Sequence, residues 1–117
     1  MTAIFEFQYL DKQSKEKLKK AKFSEKGSKR LCFHEEKDSD LHVMLIELKE
    51  NTVYKAHSHQ KNEMIFLQHG DIEITFSDEI VTLKMEDKRL IIIEKGREHS
   101  VRAGNKGATI LEVIAHK

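Results

Sequence analysis

The sequence predicts an all-β sandwich or barrel carrying one short helix near its N-terminus. Three observations lead there. Eight runs of about five to eight residues, alternating or continuously apolar, follow one another at strand length: Leu41–Leu48, Thr52–His57, Glu63–Gln68, Asp71–Phe76, Ile80–Lys84, Arg89–Ile93, His99–Ala103 and Ala108–Ile114. Clusters of turn-forming residues separate them, among them Glu50-Asn51, His69-Gly70-Asp71, Ser77-Asp78-Glu79, Glu86-Asp87-Lys88, Lys95-Gly96-Arg97 and Gly104-Asn105-Lys106-Gly107. No helical period interrupts this series, which excludes alternating βα architecture.

The helix lies upstream. Asp11 is placed to cap it, the straight-chain residues after Lys12 favour it, and Gly27 lies just beyond an end near Lys22. Its apolar residues, Leu18, Ala21 and Phe23 with Leu10 before them, suffice to lie on a surface but not to form a core. Residues 1–30 therefore read as an N-terminal strand and Lys-rich helix packed on a barrel formed by residues 31–117. The apolar Ile4-Phe5-Glu6-Phe7 is the strand, an edge able to add to a partner's sheet, so a homodimer is expected.

The chain has 117 residues and a formal charge of +1, which is one domain's worth of sequence with no strong electrostatic bias. The near-neutrality is a cancellation. Residues 11–30 hold nine Lys/Arg and three Asp/Glu, a balance of +6, so the other 97 residues sum to −5. That acidic remainder would repel phosphates attracted to the helix, so nucleic acid is not expected as a partner. One cysteine excludes a disulfide framework, and no apolar run reaches membrane-spanning length. With no signal-peptide pattern at Met1–Phe7, a soluble cytoplasmic protein without a membrane partner is expected.

Chemistry concentrates in His57-Ser58-His59-Gln60-Lys61-Asn62-Glu63. Residues two apart on a strand share a face, so His57 and His59 present two imidazoles side by side. Glu63 opens the next strand with a carboxylate. His99, behind Gly96-Arg97-Glu98, stands at the mouth of another. Three imidazoles and a carboxylate suit a first-row divalent metal with water completing the shell, whether Fe, Mn, Zn or Ni.

H-x-H, three residues, Glu63, then six residues and Gly70 resembles the first motif of the cupin superfamily. The second motif is matched at Gly96 and His99, while Lys88, Glu94 and Ala103 stand where its Gly, Pro and Asn usually stand, and Asn51 replaces the Gly that opens the first motif. These departures fall at turns and leave the four ligand positions filled. Arg30-Leu31-Cys32-Phe33-His34, Asp40–Ile46 and Tyr54 ahead of His57 further resemble the small WbuC-type cupins, associated with bacterial O-antigen and capsule loci. The resemblance implies a double-stranded β-helix, a jelly-roll barrel, with a bound divalent metal and a nucleotide-sugar or polysaccharide setting; the family's reaction is poorly defined.

Other polar residues divide by position. Arg30 and His34 are candidates for binding a sugar-like substrate at the barrel mouth, Arg30 as a fork for a carboxylate or phosphate. His42 is expected to be structural, His69 exposed, His116 inert and Cys32 packed. Tyr54, Arg102 and Glu112 are potential ligand-lining groups. Alternation counted from His57 turns Lys55 and Val53 toward the metal and Tyr54 away, while alternation from His99 puts Val101 and Ala103 inside and Arg102 outside. The last strand turns inward either Ile110, Glu112 and Ile114 or Thr109, Leu111 and Val113. Spacing identifies no catalytic acid or base. Three readings follow: a metal-dependent enzyme acting on a sugar or nucleotide-sugar, a non-catalytic metal-stabilised sugar-binding module, and an Fe(II)-dependent dioxygenase.

Overall fold

The structure, a computed structural model, describes residues 10–33, 41–57 and 60–115, with residues 55–57 described by backbone alone. The helix α1 (Lys12–Lys20) leads into β1 (Ser28–Cys32), β2 (Leu41–Leu48), β3 (Val53–His57), β4 (Glu63–Thr75), β5 (Ile80–Lys84), β6 (Leu90–Ile93) and β7 (His99–Ala115). The expected N-terminal strand at Ile4–Phe7 lies outside the described residues. β1 runs across residue 30, the expected border between helical segment and barrel.

Asp11 caps α1 as its sequence implies: its Oδ1 accepts from the Ser14 amide at 2.9 Å and from the Ser14 hydroxyl at 3.0 Å. The helix stops at Lys20, one residue before Ala21 takes up extended backbone. Lys29, itself buried, then fastens the helix end to the sheet. Its ammonium donates to the carbonyls of Lys19 at 3.0 Å and Ala21 at 3.3 Å and pairs with Glu47 at 2.8 Å, beneath the Phe23 ring. A cation on the last carbonyls of a helix satisfies acceptors that have no partner inside it.

All strand pairs are antiparallel. β4 and β7 are long and pair with each other from Glu63↔Ile114 to Thr75↔Ser100. The first half of β4 and the second half of β7 belong to one layer, in the order β1-β2-β7-β4-β6. Their other halves belong to a second layer, β3-β7-β4-β5. Two strands crossing from layer to layer, with the remaining strands ranged beside them, make the jelly roll that the alternating pattern and motif resemblance predict.

The passage between layers lies where the sequence predicts two turns. His69-Gly70-Asp71 and Gly104–Gly107 are not loops between four separate strands. They are facing corners of one continuous ladder, marked by register shifts between Leu67 and His69 and between Gly70 and Ile72. Gly70 has φ +78°, and a Cβ there would strike the carbonyl oxygen of Gly107. Glycine is required at this corner both for its backbone conformation and for the close approach of the two chains.

The core lies between the layers: Ile46, Leu67 and Ile110 from the first, and Ile72, Ile74, Leu83, Val101 and Ala103 from the second, all essentially inaccessible. Asn51, which stands where the family motif has Gly, has φ +60°, a conformation asparagine tolerates better than most residues. The turn at Glu94–Arg97 closes without proline: the Arg97 amide donates to the Glu94 carbonyl, and Gly96 has φ +82°.

These two glycines separate strain from crowding. Gly96→Ala meets no atom within 4 Å and carries only the left-handed backbone cost, about 1 kcal/mol. Gly70→Ala adds a backbone clash and should cost well over about 2 kcal/mol. Denaturant unfolding of both variants checks this; equal losses would show that the corner does not need the close approach.

Candidate metal and ligand site

Cross-strand pairing fixes which side chains enter the barrel, because residues directly opposite in an antiparallel pair share a face. Ile65 is buried, and its partner on β7 is Glu112, whose partner on β2 is Met44. Glu112 thus faces inward, with Ile110 and Ile114, which decides between the two registers open for the last strand. One step along, His42, Ile114, Glu63 and Ile93 form another inward row. His42, expected to be structural, therefore stands on the inner face beside the acidic residues.

From the other layer comes His99, 2% exposed. Its Nε2 lies 2.6 Å from Oε1 of Glu63, itself 3% exposed, and its Nδ1 lies 2.9 Å from the Arg97 carbonyl. A carbonyl only accepts, so Nδ1 carries a hydrogen and Nε2 is the nitrogen turned to the carboxylate. The hydrogen bond to Glu63 holds the imidazole above its ordinary pKa against the opposing effect of burial. On its flank the Phe76 ring packs against His99 and is covered in turn by the Arg97 guanidinium, which pairs with Asp78 and Glu79. Asn62 secures the start of β4, its side-chain carbonyl accepting from the Lys95 amide at 2.9 Å and its backbone carbonyl from the Ala115 amide.

Of the predicted ligands, Glu63 and His99 are thus brought together. The backbone of His57 is the register partner of His99, and its side chain, like His59 as a whole, lies outside the described residues, as does the candidate His34. Among the described residues no group of three or more His, Cys, Asp or Glu is arranged to hold a metal ion. The donor chemistry nonetheless fits one. An imidazole nitrogen and a carboxylate oxygen 2.6 Å apart in a buried site are a donor pair that would hold a first-row divalent ion, and such an ion would supply Lewis acidity there.

Glu112 is the functional candidate that spacing alone could not place. Burial, and then the charge of Glu63, push its pKa up to about 7, with Arg30 and His99 pulling the other way. Tyr54 corrects another expectation. β3 uses three steps from Tyr54 to His57 where β7 uses two from Val101 to His99, so a bulge intervenes and reverses the alternation. Tyr54 therefore faces inward opposite Val101 and packs on the core, while Val53 is exposed. Its hydroxyl oxygen is buried and has no hydrogen-bond partner among the described residues. Cys32, expected to be packed, is exposed, because β1 is an edge strand. Arg102 and His69 are exposed as expected, and His116 lies outside the described residues.

Residues 10–87 match the model of a domain family of unknown function, DUF6016. The chain belongs to DUF6016. The matched stretch includes His57, His59 and Glu63 and ends before His99 and Glu112. Among curated proteins none matches. Among solved structures, a cupin superfamily protein of Desulfitobacterium hafniense is similar at TM-score 0.70 and 14% identity over 83% of this chain and 84% of that one. A conserved protein of unknown function from Streptococcus pyogenes gives 0.72 and 18% over 97% and 91%, and KdgF from Halomonas sp. gives 0.67 and 15% over 82% and 86%. At these identities the likeness establishes a shared fold, the cupin fold. No helix among the described residues of this DUF6016 chain is long and apolar enough to cross a membrane.

The titrations of His99 and Glu112 act in one direction. Both pKa values are raised in the folded chain, so both groups stabilise it fully only at low pH, and that stability is lost as pH rises through the folded values. For Glu112 the window runs from 4.5 to about 7 and is worth on the order of 3 kcal/mol. Metal-stripped protein should therefore lose stability between pH 5 and 8, and Glu112→Gln should flatten much of that slope. Unfolding curves across this range check it; an unchanged slope in the variant would remove Glu112 from the account.

Proposed function

We propose that this DUF6016 chain is a divalent-metal cupin that binds a sugar-like small molecule in its barrel and moves a proton on it. The observation that carries the reading is the buried Glu63–His99 pair, an imidazole and a carboxylate within 2.6 Å, with His42 and Glu112 on the same inner face above an apolar core. An ionisable pair held away from water is costly to bury unless something gains from it. His57 and His59 complete the ligand set in this reading.

When bound, the metal supplies Lewis acidity toward an oxygen of the ligand. The chain's own residues do the rest. Glu112, on the same inner face as the pair, accepts and returns a proton. The surrounding Ile65, Ile93 and Ile114 exclude water, and Phe76 keeps the His99 ring in place. A carboxylate on the same inner face as the pair supports an enzyme of isomerase or epimerase type over a purely binding module. The WbuC-like segments point to bacterial surface polysaccharide synthesis as the setting, within the cytoplasm.

Metal analysis of protein prepared without an affinity tag should give about one divalent ion per chain. Glu63→Gln and His99→Ala should each lower metal affinity by tenfold or more. Full metal retention in both variants would end this reading.

A homodimer is also proposed. The outer face of the first layer is apolar through Leu111, Phe66 and Leu90 in one row and Val43, Val113, Met64 and Ile92 in the next, alongside Leu45, which is itself buried. Ile92 is 68% exposed and Leu90 45%. A face of this breadth is suited to a second copy, since a standard interface engages about 20–30 residues a side. Sedimentation should give twice the chain mass and Ile92→Asp the monomer; a monomeric wild type at micromolar concentration would contradict it.

A further inference from the structure

The Lys-rich segment has no role in the site described so far, yet its end reaches the barrel. Beyond α1, the chain from Ala21 to Lys26 forms one wall of an open groove of about 1040 Å³, whose other walls are β1 and the start of β3. Lys22, Lys26 and Arg30 line it, against Glu25. Lys29 also borders it but is committed to Glu47 and the helix carbonyls. Among the described residues, none of Lys22, Lys26 and Arg30 has a carboxylate within salt-bridge distance. Among its described lining residues, besides the committed Lys29, the groove therefore presents three cations and one anion to whatever enters it.

Two placements connect this groove to the interior. Arg30 is the register partner of Ile46, an inward residue, so β1 turns the guanidinium to the inner face at the barrel's edge, where its charge reaches Glu112. Tyr54 lines the groove while packing on the core. Its cross-strand partner Val101 shares a face with His99, one pleat repeat or about 7 Å along β7. Tyr54 thus touches both the groove and the core, on the strand face that His99 shares.

We infer that the groove is an anion subsite, in which Lys22, Lys26 and Arg30 hold the phosphate or carboxylate of a small molecule whose remainder extends past Tyr54 toward Glu63 and His99. It rests on the proposed function in one respect, that the far end of the ligand is the part acted upon; the anion binding itself does not require a metal. The lysines supply mobile point charges, and Arg30 supplies a planar fork that engages two oxygens at once. A neutral sugar would leave these cations unused, so the ligand is an acidic one: a sugar phosphate or nucleotide sugar if the anion is phosphate, a uronic acid if it is carboxylate.

The test uses the metal-stripped full chain and amide chemical-shift titrations with two probes, inorganic pyrophosphate and D-glucuronate, at low ionic strength. Saturable shifts centred on residues 22–30 and Tyr54 are expected with one of them: pyrophosphate identifies a phosphorylated ligand, glucuronate a carboxylate one. The double variant Lys22→Ala/Arg30→Ala, both at exposed positions, should weaken that binding about tenfold or more. The control Lys88→Ala/Lys106→Ala, outside the groove, should leave it unchanged. Absence of saturable binding by either probe, or equal weakening in the control, overturns the inference. Loss of metal by Glu63→Gln with anion binding intact supports the subsite, whereas failure of the wild type to take up metal while still binding the anion would sink the metal reading alone.

Discussion

The ladder between β4 and β7 has to fold back on itself, and the rest of the structure depends on that bend. Glu63 pairs at one end, with Ile114, and His99 lies just beyond the other, where Thr75 meets Ser100. Laid straight, a ladder of that length would separate them by about 40 Å. Their side chains are 2.6 Å apart. The bend at Gly70 and Gly107 makes the difference, letting two strands turn a corner together without releasing their pairing. One ribbon thereby supplies both layers of the barrel, and its two ends face each other across the interior.

That arrangement explains why polar groups are tolerated so deep in an apolar barrel. Glu63 and His99 neutralise each other, and the nearby Glu112 meets the repulsion of Glu63 and its own burial by keeping its proton to near neutral pH. A divalent cation relieves the same repulsion differently, by drawing protons off the donors, so metal binding and pH are linked through the same few atoms. The surface contributes through Arg30, which stands at the edge of this field and lowers the proton affinity of Glu112 from the barrel mouth. An anion resting on Arg30 would weaken that pull, coupling the occupancy of the groove to the protonation of the interior.

Much of this was legible in the residues. The runs Leu41–Leu48 and Ile80–Lys84 are strands with the bounds the alternation gives them, and the Asp11 cap starts the helix where expected. The sequence alone presents the two glycine corners as loops, because a bend within a paired ladder and a turn between strands use the same residues; only pairing distinguishes them. The strand Ser28–Cys32 escaped notice because its Ser-Lys-Arg start continues the lysine-rich composition before it.

The site was legible to the same depth. Glu63 and His99 came from motif spacing and do meet, and the inward set Val101 and Ala103 is buried as counted from His99. Tyr54 was turned the wrong way because alternation cannot be carried through a bulge that the sequence does not mark. Glu112 needed a register, which one strand alone cannot supply; its pairing with the buried Ile65 does. The folded ribbon brings Glu63 and His99 together, and the proposed metal centre is built on that pair. Anomalous X-ray diffraction from crystals of the metal-loaded wild type tests it most directly. The account predicts one metal between the layers, with Glu63 and the His99 Nε2 both at about 2.0–2.2 Å. A metal bound at surface histidines, with the Glu63–His99 hydrogen bond unbroken, would contradict it.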